Sequence, residues 1–218
     1  NHLTQRDSLA AKPCFTSKVV WLVIYSNPSS IWRWTHMVRV PYVNRDDMDA
    51  EGQKIYDQIR QDRNSAEVGL QFRAMLNNPK AAGYLTSMGA ELRFENSMPD
   101  GLKELAIISV ARELDSDIEW TGHAVLAARA GISDASIESV RTRKTAEVLT
   151  GSEAVVAKFV QELVTGKNVS DDTFAAVHGE FGDRGAVDLT LTVAYYTALG
   201  LIQIALNLEM EPGRVSTL

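Results

Sequence analysis

From Asp49 onward the chain is punctuated by helix-start signals, and this feature constrains the fold more than any other. Asn78-Pro79 supplies an N-cap and a proline at the first helical position. Ser97-Met-Pro-Asp100 reads as a serine cap with an early proline and an acid three residues on, and Ser116-Asp-Ile-Glu119 as a capping box. Ser133-Asp134, Thr150-Gly-Ser-Glu153 and Ser170-Asp-Asp172 repeat the pattern. Helices are therefore predicted over 49–63, 79 to about 96, 100–114, 116–130 (with Gly131 as the C′ glycine), 134 to about 143, 154–165, 173–181 and 185–209. The last is apolar nearly all round, so it is expected to be buried. Alternating strand patterns bounded by turn residues are absent after Met37, and the expected class is all-α. Glu104-Leu-Ala-Ile and Asp188-Leu-Thr-Leu each open an apolar helix, a hint of two related helical halves.

With 218 residues, 45% of them hydrophobic, the chain is long enough for one sizeable core. The net charge of -6, without an offsetting Lys/Arg cluster, argues against phosphate-driven nucleic-acid binding. No apolar run approaches the roughly 20 residues that span a bilayer, and Val19–Tyr25 is too short, so no membrane partner is expected. Residues 1–36 differ from the rest. They hold the only cysteine, Cys14, and three of the four tryptophans, Trp21, Trp32 and Trp34. They carry Arg6, Lys12, Lys18 and Arg33 against Asp7 alone, a net of +3 that leaves -9 for residues 37–218. Residues 1–36 are expected to be an extension outside the fold, and 37–218 the domain. From Met37 onward thiol nucleophiles, disulfides and thiolate metal sites are excluded. One cysteine per chain makes a cytoplasmic setting the simplest expectation.

The polar residues that stand out are Glu104, Glu119 and His123. Glu119 and His123 are four apart on one helix, so they share a face with Cβ atoms about 5–6 Å apart. A carboxylate there can orient an imidazole and fix its tautomer, giving a general acid/base. Glu104 lies eleven residues before Asp115 and His123 eight after it, so a helical hairpin around Asp115 would let them face each other. Each also has a plain structural reading: Glu119 closing the Ser116 box, His123 a hydrogen-bonded core histidine, Glu104 a helix-start acid. The residues alone leave these readings open. Trp120 reads first as a packing anchor. Tyr195 and Tyr196 could place a hydroxyl in a pocket, one of them being core. His178 reads as incidental, and Arg112 and Arg129 as solvated rather than carboxylate-binding. A metal site would lack the second histidine expected of zinc or di-iron helices.

The spacing Glu104-x11-Ser116-x2-Glu119-x3-His123, continued by HAVLAARAGIS, resembles the carboxymuconolactone decarboxylase-like superfamily, which includes the AhpD alkylhydroperoxidases. The likeness runs from about Met37 to the C terminus. It implies an all-helical AhpD-like bundle, often a trimer or hexamer, whose motif helices form the site without a cofactor. In the AhpD branch two thiols reduce peroxide while a glutamate and a histidine relay protons. Here the thiol positions fall on Ser116 and Glu119, so thiol peroxidase (peroxiredoxin) activity is not expected. The resemblance then implies a cofactor-independent lyase or isomerase acting on a small lactone or unsaturated acid. His123 would be the general acid, Glu119 its orienting partner and Glu104 a second proton relay. Ser116, Trp120, Tyr195 and Tyr196 would line the substrate pocket. No substrate-carboxylate clamp is evident from the sequence. The alternatives are an AhpD relative that has lost its thiols, and a non-enzymatic oligomer that binds a small acid.

Overall fold

Asp49, Asn78, Ser116, Ser133 and Ser170 each accept a backbone N–H from the first turn of the helix they precede. Five of the predicted starts thus satisfy orphan amide donors as their residue types dictate. The computed structural model describes residues 37–218. Cys14, the three early tryptophans and the expected 1–36 extension lie outside the described residues. After a 3₁₀ turn at Arg45–Asp47 come α1 (Ala50–Asp62), α2 (Leu70–Met75), α3 (Pro79–Phe94), α4 (Asp100–Glu113), α5 (Asp117–Arg129), α6 (Asp134–Arg141), α7 (Thr145–Val148), α8 (Gly151–Val164) and α9 (Asp171–Leu206). There is no strand among the described residues, and the class is all-α.

Two starts work differently from their sequence reading. Ser97 does not cap α4, which begins after Pro99 without a side-chain cap. Its amide and hydroxyl both donate to Asp188 Oδ2 on α9, at 2.9 and 2.6 Å, tying the α3–α4 loop to a distant helix. Thr150 makes no capping bond either, and Glu153 instead accepts from Ser136 Oγ at 2.7 Å. The short helices α2 and α7 were not predicted, being too brief to show a helical period.

α4 is the centre of the domain. Every residue from Lys103 to Ala111 is buried, because α5, α8 and α9 pack around it. Lys103 is tolerated there because its amine donates to Arg93 O at 2.7 Å and Asp100 Oδ1 at 2.8 Å. Leu105, Ile108 and Ala111 pack with Trp120, Ile132, Val140 and Leu149 on one side. Ala106, Ile107 and Val110 join Phe159, Val160, Leu189 and Val193 on the other. A third cluster, Tyr56, Ile59, Val68, Phe72, Leu76 and Ala82, joins α1, α2 and α3.

α9 differs from its sequence reading in two respects. It was expected to be buried all round, yet Val187, Leu191, Leu201 and Ile204 are 56%, 42%, 54% and 57% exposed. α4 takes the central place, and α9 packs on it with one face only. No segment was expected to reach membrane-spanning length, yet α9 is long and apolar enough by length and composition. Its apolar stretch is interrupted only by uncharged residues such as Thr192, Tyr196 and Gln203, which lower the mean hydropathy little. Gly182 breaks the helix near its start with φ 67° and ψ -173°, a conformation closed to side chains with a Cβ, and this matches the predicted boundary between 181 and 185.

Candidate active site

The turn between α4 and α5 is made by Asp115 in the left-handed region (φ 51°). Its carboxylate is held by Arg112 and, at 3.0 Å, by Arg143 Nη2. Arg112 Nε also donates to Arg141 O at 2.6 Å. Arg112 therefore fixes the hairpin and the neighbouring α6, and it binds no site carboxylate. The hairpin brings Glu104 and His123 together: His123 Nδ1 lies 2.7 Å from Glu104 Oε2. On the other side of the ring, Nε2 is 3.5 Å from Glu119 Oε2. Glu104, Glu119 and His123 are only 6%, 5% and 7% exposed, so water screens these contacts weakly.

The acid closer to the imidazole is Glu104, whereas Glu119 was expected to be its orienting partner. Glu104, one helix away, is the direct hydrogen-bond partner that orients the imidazole. With Nδ1–H donated to Glu104, Nε2 is left facing Glu119 on the cavity wall. Four-residue spacing brings Glu119 and His123 only to 3.5 Å, because the glutamate is pulled elsewhere.

What pulls it is Gln203 of α9, which the sequence reading missed. Gln203 Nε2 donates to Glu119 Oε1 at 2.6 Å and to Gln71 Oε1 at 2.7 Å. Gln203 Oε1 accepts from Ser116 Oγ at 2.6 Å, and Ser116 Oγ in turn accepts the Glu119 amide at 3.3 Å. Every polar atom of the buried amide is used, which leaves one orientation open to it. The Ser116 box is thus half formed: serine caps the helix, while the glutamate side chain turns inward. A lone glutamine in the apolar run GLIQIAL was the available signal, since a buried amide needs partners.

These groups face a cavity of about 340 Å³. His123, Glu119, Ile118 and Gly122 line it from α5, Tyr195, Tyr196 and Leu199 from α9, and Ile59, Phe72, Arg63 and Arg93 from α1–α3. Glu104 stands behind His123 and does not line it. Ser116, expected in the pocket, does not line it either, because its hydroxyl is turned to Gln203. Trp120 does not reach it at all: it is 1% exposed among Leu105, Ile108 and Ile132, so its place in the expected pocket set is corrected to core. Both tyrosines do line it. Tyr196 meets the His123 ring edge-on at 5.0 Å, and Tyr195 packs edge-on against Tyr196 at 5.2 Å. Burial pushes both phenols above the ordinary 10.0, Tyr196 well above, with Glu119 adding to the rise. His178 is a surface residue paired with Asp183. Among the described residues no group of His, Cys, Asp and Glu is arranged to hold a metal ion.

No protein-family model matches the chain, and no curated protein matches it.

Proposed function

We propose that this chain is a cofactor-independent acid/base catalyst, a lyase or isomerase of the carboxymuconolactone decarboxylase-like type, acting on a small lactone or unsaturated acid. One observation carries the reading: an imidazole is clamped between two buried carboxylates at a partly apolar cavity, with its inner nitrogen committed to Glu104. Such a group, itself largely buried, can deliver and recover a proton at the cavity wall.

In the decarboxylation version, the bond from the substrate to its leaving carboxylate breaks and carbon dioxide departs. The bonding pair passes into the conjugated system, and His123, having taken a solvent proton on Nε2 while Nδ1–H stays on Glu104, delivers it to the carbon at the far end. Solvent replaces that proton. In the isomerisation version the proton is removed from one carbon and returned to another, with no net loss. Glu104 holds the ring, and Glu119, fixed by Gln203, faces the working nitrogen. Tyr196, kept protonated by burial, packs its ring edge-on beside the imidazole. Turnover of unsaturated lactone acids by wild type and His123→Gln tests the reading. Equal rates with an intact fold would remove it.

Residues 37–218 contain no thiol to oxidise, which disfavours the AhpD peroxidase alternative. The proposal includes a cytoplasmic setting, in keeping with the single cysteine. It also includes assembly into a homo-oligomer, trimer or hexamer, supported by the exposed Val187, Leu191, Leu201 and Ile204 on α9. Light scattering at micromolar concentration checks this, and a monomer mass would remove it.

A further inference from the structure

The cavity holds a second set of polar groups that proton transfer at His123 does not use. Arg63, at the C-cap of α1, and Arg93, in the last turn of α3, both line it. Among the described residues neither forms an ion pair with a carboxylate, although Glu67, Glu209 and Glu211 also line the cavity. Arg63 is held in place by other means. Its guanidinium lies 4.2 Å over the Phe72 ring, and Nη2 donates to Thr86 O at 3.4 Å. Its Nε is buried and has no hydrogen-bond partner.

Tyr195 carries the second unmatched donor. Its hydroxyl is also buried and makes no full hydrogen bond, although Arg63 lies near enough to interact with it. It rests against α3 at Gly89, where a Cβ would lie 2.0 Å from the phenol oxygen, so only glycine lets the ring reach this far. Thr86, Gly89 and Arg93 recur at helical spacing on one face of α3. That face therefore gathers the Arg63 guanidinium, the Tyr195 hydroxyl and the Arg93 side chain. Burial raises the Tyr195 phenol, and Arg63 is the main charge opposing the rise.

A buried donor left without an acceptor is costly, and both of these belong to side chains that line the cavity, the side from which a ligand can bring one. A guanidinium fork beside a hydroxyl matches the two oxygens of a planar carboxylate, and neither arginine is already committed to an ion pair with one of the cavity's glutamates. We propose that Arg63, Tyr195 and Arg93 form an oxyanion subsite that binds the carboxylate of the small molecule acted on at His123. The subsite makes Arg63 the principal specificity residue, separating acids from their neutral analogues. It rests on the reading of the cavity as a reaction site, but its binding step is independent of the proton-transfer step.

The test uses the full chain and equilibrium binding, followed by calorimetry and by thermal shift, with sorbate, benzoate, their primary amides and inorganic phosphate as probes. At least one carboxylate should bind wild type and raise its melting temperature, and its amide should bind about tenfold or more weakly. Arg63→Gln should lose about tenfold in carboxylate affinity, Arg63→Lys should recover part of it, and Tyr195→Phe should lose severalfold. Arg129→Gln, an exposed residue that does not line the cavity, should bind as wild type does. Unliganded melting curves identify variants that fail to fold, and Arg93→Gln then supplies an independent loss of affinity. Equal binding of acid and amide, no binding of either acid at millimolar concentration, or unchanged affinity in both Arg63→Gln and Arg93→Gln would overturn the subsite. Phosphate binding as tightly as the acids would make it an inorganic-anion site and overturn it too. His123→Gln should bind carboxylates normally. Its turnover decides the proton-transfer reading separately, so the two can fail independently.

Discussion

His123 Nδ1 and Glu104 Oε2 lie 2.7 Å apart, although nineteen residues separate them in the chain. The contact exists because Asp115 turns α4 back as α5, and because Ala111, Trp120 and their neighbours pack the two helices together. Glu104→Gln keeps the shape but offers its amide where a carboxylate accepted Nδ1–H. Turnover should fall by roughly 10² or more in kcat with KM little changed, given the usual worth of a positioned acid/base. Steady-state kinetics against Glu119→Gln then ranks the two acids, and the larger loss should belong to Glu104.

Gln203 ties Ser116, Glu119 and Gln71 together. Replacing it with Leu leaves Ser116 Oγ and Glu119 Oε1 without their bonds in a buried setting. Destabilisation of about 2–4 kcal/mol is expected, the upper part of the range reflecting the charged acceptor. Urea unfolding of Gln203→Leu measures it. Adding Ser116→Ala should cost little more, because the serine's partner is already gone.

Gly89 is expected to tolerate no side chain. Gly89→Ala puts a methyl against the Tyr195 ring, displacing the phenol and the wall of the cavity. A loss of about 1–3 kcal/mol should appear in denaturant unfolding, with weakened carboxylate binding. Trp120→Phe, by contrast, should lower stability and leave binding intact, because Trp120 lies in the core.

Tyr195 and Tyr196 set an alkaline limit. Both phenols are held above 10.0 in the fold, so at high pH the native state keeps protons that the unfolded chain has lost. Their contribution is full below about pH 10 and declines as pH rises beyond it. Urea midpoints followed upward from about pH 9 should fall above pH 10, and the fall should be shallower in Tyr196→Phe. An unchanged slope would remove the tyrosines as its cause.

Much of this architecture was legible as punctuation. Asn78, Ser116, Ser133 and Ser170 cap the helices they were expected to cap, because capping is decided within four residues of sequence. Ser97 was misread because its partner, Asp188, is 91 residues away. The site was legible to the same depth. Helical spacing put Glu119 near His123, and the hairpin brought in Glu104. It did not show which acid makes the shorter contact, since that depends on Gln203 pulling Glu119 aside. Arg63 and Arg93 look like ordinary basic residues at helix C-termini, and only the tertiary fold turns them into one cavity.

In the proposed reaction His123 carries the proton at this cavity. Single-turnover measurement of His123→Gln with an unsaturated lactone acid that wild type converts tests it most directly, with carboxylate binding as the control for folding. The account predicts that binding survives while the chemical step slows by about 10² to 10⁴. Normal binding with a wild-type rate of conversion would contradict it.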